Sequence, residues 1–149
     1  MDNSQNNEPQ TLSFLLTKVS RVVIRMCEKE LMPLGITLPR SVALRTLLQH
    51  GPMTQSALGT LLLVDKATVS TVINQLRRDH LVETTGVPQD ARVVLLILTE
   101  QGKVLAEQVL TVDLRVEAYL EQEASPTMLK HVREYLTGVL QRGRQDYWE

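Results

Sequence analysis

Residues 54–99 read TQSALGTLLLVDKATVSTVINQLRRDHLVETTGVPQDARVVLLILT. Thr54 is a good helix N-cap, and the short helix it opens, 55–62, carries Ala57, Leu58, Leu61 and Leu62 on one face. Leu63-Val64 is the turn. Asp65 caps the next helix, 66–79, its carboxylate accepting from a backbone N–H near Ala67 or Thr68. In that helix Val69, Val72, Ile73 and Leu76 stand at i, i+3, i+4 and i+7, the spacing of a buried stripe. Residues 81–85 read as a strand, 86–91 as a loop and 92–98 as a second, β-branched strand. Two helices across a tight turn followed by a hairpin predict a helix-turn-helix with a wing, a device that lays one helix in a DNA groove.

The flanks are helical. Leu12, Leu15, Val19, Val22 and Met26 repeat at steps of three and four, with Leu16 and Val23 widening the stripe. A first helix therefore runs from Thr11 to about Met32, where Pro33 and Gly35 stop it. Pro39 suits the first turn of a second helix, 39–50, carrying Val42, Leu44, Leu47 and Leu48 and ended by His50-Gly51-Pro52. After the wing, Thr99 caps a long helix, 100–122, with Leu105, Val109, Val112, Val116 and Tyr119 in register. Ser125-Pro126 opens the last helix, with Leu129, Val132, Leu136 and Val139 as its stripe. The terminal helices hold more apolar surface than one small winged helix covers. Buried apolar area is worth about 25 cal/mol per Å², so a two-fold dimer interlocking the first, fifth and sixth helices is the simplest arrangement. An all-helical core within one chain is the other reading. The fold class is thus mainly α with a small β-hairpin, a winged helix-turn-helix with N- and C-terminal dimerisation helices. Residues 1–10, Asn/Gln-rich, are expected to be a disordered tail, and 11–149 a single domain. Within it, 11–35 and 100–149 form the dimerisation helices and 36–99 the DNA-binding lobe.

The totals limit the function classes. The chain has 149 residues, 43% of them hydrophobic, and one cysteine, so no internal disulfide forms. No apolar run is long enough to span a membrane, and MDNSQNNEPQ lacks a basic-then-apolar signal pattern, so a cytoplasmic protein without a membrane partner is expected. Net charge is −1, unlike the strongly basic balance of many nucleic-acid binders. From Met53 to Thr99 four bases (Lys66, Arg77, Arg78, Arg92) meet four acids (Asp65, Asp79, Glu83, Asp90), and Arg40 and Arg45 on the second helix are expected to add a positive edge.

The frame from Thr54 through Asp65-Lys66-Ala67-Thr68-Val69-Ser70 to the wing Asp90-Ala91-Arg92, followed by Leu98-Thr99-Glu100-Gln101-Gly102, resembles the MarR family of bacterial transcription regulators. The resemblance covers nearly the whole chain, and its strongest signal is the Asp-x-Arg pair followed by Leu-Thr-x-x-Gly. It implies a homodimeric winged helix-turn-helix on a near-palindromic double-stranded DNA operator. It also implies release by a small, often aromatic or phenolic, effector bound between dimer arm and DNA-binding lobe. The chain departs from the family where members often carry arginines, having Thr71, Gln75, Thr84 and Thr85 there.

With the 69/72/73/76 stripe inside, the 100° step turns Ala67, Thr71, Asn74 and Arg78 outward, flanked by Thr68 and Gln75 on one side and Ser70 and Arg77 on the other. The expected DNA-binding residues are Lys66, Thr68, Ser70, Thr71, Asn74, Gln75, Arg78 and Arg92. Lys66 reaches a phosphate, the compact hydroxyls approach base edges or a thymine methyl, and Asn74 pairs with adenine. Arg92 on the wing enters the minor groove. Asp90 is structural, holding the arginine or capping the loop, while Gln89, Thr84 and Thr85 are secondary phosphate candidates. The competing reading of these residues is a solvated helix face and an exposed salt bridge.

No nucleophile–base motif, phosphate loop or paired-carboxylate motif appears, so the chain is not expected to be an enzyme and needs no cofactor. His50, His80 and His131 are scattered without metal-ligand spacing. Aromatic residues are few, so an effector pocket is expected to be aliphatic, with Leu15, Val19, Met26, Leu38, Ser41 and Leu47 as candidates. The function expected is a DNA-binding regulator, a repressor released by a small molecule. The alternatives are a regulator responding to oxidation of Cys27, which does not match the thiol position of peroxide-sensing relatives, and a helical protein-interaction module.

Overall fold

The computed structural model describes residues 11–88 and 90–147. The expectations for the 1–10 tail and for Gln89 lie outside the described residues. In chain order the elements are α1 (Leu12–Leu31), a 3-10 turn (Met32–Leu34), α2 (Leu38–His50), α3 (Gln55–Leu62), α4 (Lys66–Arg78), β1 (Val82–Val87), β2 (Asp90–Leu98), α5 (Glu100–Leu120) and α6 (Pro126–Tyr147).

Side-chain caps start nearly every helix. The N–H groups of Phe14, Ala57, Thr68 and Gly102 donate to the side-chain oxygens of Thr11, Thr54, Asp65 and Thr99 at 3.4, 3.1, 2.7 and 3.0 Å. Met128 N donates to Ser125 Oγ at 3.2 Å to open α6. Each such bond satisfies one of the orphan donors of a first turn. Gly35 takes φ +65° to leave the 3-10 turn, a conformation that carries no steric cost in glycine.

The core lies where α2, α4 and α5 meet the hairpin. Ala43, Leu44, Leu47, Leu58, Val69, Ile73, Leu76, Leu96, Ala106 and Val109 are buried within it. The expected stripe of α4 is wholly inside. On α3 the outcome differs from the sequence reading: Leu58 and Gly59 are buried, while Ala57 and Leu61 are exposed. The helix is only eight residues long and leans on α4 through Gly59, so a narrow seam suffices.

The hairpin is antiparallel, pairing Val82 with Leu98 through Gly86 with Val94, and its register shifts between Gly86 and Val87. Pairing resumes at Val87–Asp90, so the wing turn is shorter than the 86–91 loop expected from sequence. Met53 adds a bridge on the far edge of β2: Leu96 N donates to Met53 O at 2.8 Å and Met53 N to Leu96 O at 3.4 Å.

α6 stands apart from this core, and α1 enters it only at its C-terminal end, through Leu31 with Cys27 packed against it. Their stripes are largely exposed, Val19 at 52%, Val22 at 55% and Leu140 at 56%. Polar links hold α6 to the remainder: Arg133 to Glu117 on α5 and to Glu121 just past its end, and Arg144 to the end of α3.

Candidate nucleic-acid interface

The chain turns by 115° between α3 and α4, inside the range of a helix-turn-helix. Leu63 makes the corner with φ +53°, a left-handed conformation uncommon in a non-glycine residue, and Val64 N donates to Gly59 O at 3.1 Å. A Cβ at Gly59 would come within 3.4 Å of both Val64 O and Val69 Cγ1, so glycine lets the helices approach. Asp65 anchors α4 twice, accepting from Thr68 N at 2.7 Å and from Thr68 Oγ1 at 3.0 Å. These bonds, the backbone one first, hold its carboxyl below the usual range.

Seven of the eight expected DNA-binding residues lie on α4. Lys66, Thr68, Thr71, Asn74, Gln75 and Arg78 are exposed, and Ser70 is half-buried at the edge of the packed face. The eighth, Arg92, is exposed on β2 beside the wing turn. The two exposed threonine hydroxyls have committed their protons, Thr68 to Asp65 Oδ2 and Thr71 to Ala67 O at 3.0 Å. They therefore meet a partner as acceptors or through their methyl groups. Of the two roles open to Asp90, its hydrogen bond is the loop-capping one: Arg92 N donates to Asp90 Oδ1 at 2.9 Å. The Arg92 guanidinium is left outward. Thr84 and Thr85 are exposed on β1.

The charges of the lobe sort by sign. Among the described residues Lys66, Arg77, Arg78 and Arg92 take part in no ion pair. Three of the four acids are occupied: Asp65 caps α4, Asp90 holds the wing, and Asp79 pairs with Arg40. The neutral stretch 53–99 thus presents uncommitted cations. The positive edge expected from Arg40 and Arg45 is not formed, because Arg40 is paired with Asp79 and Arg45 Nη1 lies 2.9 Å from Asp113 Oδ2. Both partners are far away in sequence.

The wing is fixed to α5 through Thr99-Glu100-Gln101-Gly102. Thr99 Oγ1 donates to His80 O at 2.7 Å and accepts from Gly102 N, and Thr99 N donates to Leu81 O at 3.2 Å. A Cβ at Gly102 would stand 1.9 Å from Leu81 O, so this position has no room for a side chain.

Known proteins share this arrangement. Residues 36–94 match the model of the MarR family. The chain is 32% identical over 97 residues to the organic hydroperoxide resistance transcriptional regulator of Bacillus subtilis, 65% of this chain and 66% of that one. Residues 36–94 are a MarR-family domain.

A second MarR-type relative, the HTH-type transcriptional repressor NicR of Pseudomonas putida, is 28% identical over 72% of this chain and 68% of its own. The chain spans about two thirds of the length of these two relatives. Among solved structures, a mutant MarR from E. coli complexed with operator DNA superposes with a TM-score of 0.78 at 25% identity, covering 87% of this chain and 93% of that one. The S. aureus MepR–DNA complex gives 0.79 at 25% identity, covering 89% and 98%. The chain shares the winged-helix fold of these regulators and carries the MarR-family domain.

The effector candidates differ in exposure. Leu15 and Val19 are exposed on α1, Met26 and Leu38 are half-buried, and Ser41 and Leu47 are in the core. Ser41 Oγ donates to Leu38 O at 2.8 Å. Leu47 lines a shallow recess with Leu48, Pro52, Leu96 and Lys103, which the other five do not join. Cys27 is half-buried on α1, and burial, then the charge of Asp113, pushes its thiol up against the opposing pull of Arg45. Among the described residues no group of three or more His, Cys, Asp or Glu is placed to hold a metal ion, and no single helix is long and apolar enough to cross a membrane. Sequence reading missed a second recess, between the α3–α4 turn and α6, because the approach of Arg144 to Thr60 is a tertiary contact across 84 positions.

Proposed function

We propose that the protein is a homodimeric transcriptional repressor that reads a near-palindromic operator with α4 and the wing and is released by a small-molecule effector. The observation that carries the DNA reading is the charge sorting of the lobe: four cations without ion pairs on α4 and the wing, with the neighbouring acids turned to structural work. Two similar structures hold DNA, which supports a DNA-binding role. The exposed stripes of α1 and α6 support the dimer. Each Leu or Val side chain moved out of water contributes about 1.5–3 kcal/mol, and a two-fold contact between these helices buries many of them. Two recognition helices at fixed separation then meet successive major grooves.

Footprinting the intact protein on DNA flanking its own gene tests this. A protected, two-fold stretch spanning about two helical turns is expected. A protein that sediments as a monomer and protects nothing overturns it. Relief by peroxide is a second reading, favoured by the hydroperoxide-resistance relative. The raised, half-buried Cys27 thiol opposes it, since the thiolate is the reactive form. Full operator affinity after peroxide treatment is the expected result.

A further inference from the structure

Both charges of the Arg40–Asp79 pair stand at the unfavourable end of their own helix. Arg40 is in the first turn of α2, where the helix dipole favours an anion, and no side chain caps that turn. Asp79 is the C-cap of α4, where the dipole favours a cation. Arg77 and Arg78 stand beside it in the last turn, yet Asp79 Oδ2 accepts from Arg40 Nη2, 39 positions earlier. The Arg40 side chain is 15% exposed and its Nε is buried without a hydrogen-bond partner, so the contact also carries a desolvation cost. A pair with these penalties is a poor stabiliser, and well-packed apolar side chains of similar volume serve stability as well. Its position is informative instead. Among the described residues it is the one ion pair that ties α4 or its caps to another helix. Otherwise α2 and α4 share the apolar core, through Leu44, Leu47, Ile73 and Leu76. Apolar burial is non-directional, whereas a guanidinium on a carboxylate fixes direction. α2 is in turn tied to α5 through Arg45 and Asp113.

We propose that Arg40 is a positioning residue for DNA recognition: through Asp79 it sets how α4 is turned against α2, and so which base edges the exposed face of α4 reaches. Arg40 touches no base in this role. It acts on the contacts that specify sequence and leaves those to phosphate, which tolerate a small rotation, nearly as they are. The consequence for DNA rests on the DNA reading above; the placement of α4 rests on the ion pair alone.

Two measurements on the intact protein test this. The first compares affinity for the footprinted operator fragment with that for a scrambled fragment of equal length. Arg40→Met keeps the stem and removes the charge. It is expected to weaken the operator about tenfold, the loss of roughly one base contact, and to leave the scrambled fragment within about twofold. Its melting temperature is expected to stay within about 2 °C of wild type. Arg40→Lys keeps a cation within reach of Asp79 and is expected to retain operator preference. Arg40→Met combined with Asp79→Ala is expected to lose no more than Arg40→Met alone, since both act through one contact. The second measurement needs no DNA. Spin labels on Gln49→Cys of α2 and Gln75→Cys of α4, both exposed positions, report the placement of α4 in a Cys27→Ser background diluted with unlabelled chain. The distance distribution is expected to shift or broaden with Arg40→Met and to return with Arg40→Lys. Equal losses on both fragments with a lower melting temperature make the pair a fold stabiliser and overturn the proposal. If Asp79→Ala tightens both fragments alike and steepens the salt dependence, Arg40 is a masked phosphate contact, which also overturns it. If the distance responds and the wild type binds no DNA, the DNA reading fails and the placement of α4 by Arg40 stands. If the wild type prefers its operator and Arg40→Met keeps that preference, the positioning role fails alone.

Discussion

On the proposed DNA-binding face, Asn74 and Arg92 would divide the work of recognition by chemistry. Asn74 is exposed in the middle of α4 with an amide able to donate and accept at one adenine edge, whereas Arg92 projects a charge from the wing. Asn74→Ala is expected to cost about 1–3 kcal/mol of operator affinity and to relax preference at one base pair in each half-site. Arg92→Ala is expected to weaken binding most where the flanking minor groove is A·T-rich, without loss of preference at a single base pair, and to reduce the salt slope. Binding assays on operators substituted base by base, at several salt concentrations, separate the two patterns; interchanged patterns would misplace both residues. At the first turn of α4, Asp65 makes stability depend on acid. Its carboxyl is held below the usual value by Thr68, so the charged cap stabilises the fold fully above the ordinary carboxylate pKa of about 3.9. That contribution is lost as pH falls through the lower folded value. Asp65→Asn keeps a cap without a titrating charge. The melting-temperature gap between wild type and variant is expected to hold above about pH 5 and to narrow as pH falls below about 4. A gap that widened on acidification would contradict the sign.

Among the elements, the joint between wing and α5 is the least tolerant. Gly102 faces Leu81 O, a backbone atom that cannot swing aside as a side-chain tip can. Gly102→Ala is expected to destabilise by about 3 kcal/mol, the upper end of overpacking costs, lowering the melting temperature by roughly 10 °C. A melt within about 2 °C of wild type would show that the joint relaxes. This joint also shows how much was legible in the chain. Thr99 is recognisable as a cap and Leu-Thr-x-x-Gly as a motif, but the reason for its glycine lies in a carbonyl 21 positions earlier. Helix starts were legible because caps are local, as at Thr54, Asp65 and Ser125. The face of α4 was legible because its stripe is strictly periodic. The outward turn of Leu61 was not, because an eight-residue helix has too few turns to declare one face. The pairing of Arg40 and Arg45 was hidden for the same reason as the role of Gly102: Asp79 and Asp113 come near only in the folded chain.

At the scale of the whole molecule, the same ion pairs set how DNA binding responds to salt. Net charge is −1, so no large positive field draws the protein to DNA. What remains are local cations, and Arg40 and Arg45 are not among them, since each is held by its aspartate. Lys66, Arg77, Arg78 and Arg92 give four uncommitted cations per lobe, eight in a two-fold dimer. Each neutralised phosphate contributes about 0.9 to the fall of log K with log salt, so the slope is expected not to exceed about 7. A slope of about 9 or more, corresponding to about ten neutralised phosphates, would require cations beyond these and would break the assignment. Weak non-specific attraction places the burden on geometry. In the proposed dimer the α1 and α6 contact would hold the two recognition helices at the groove spacing, because few phosphate contacts remain to compensate for a misfit. Val19→Asp puts a charge into the exposed α1 stripe, far from α4 in sequence, and is expected to shift sedimentation toward the monomer and to abolish operator binding at concentrations where wild type is saturated. A variant that sediments as a monomer yet holds the operator at full affinity would separate dimerisation from recognition and overturn the proposed architecture.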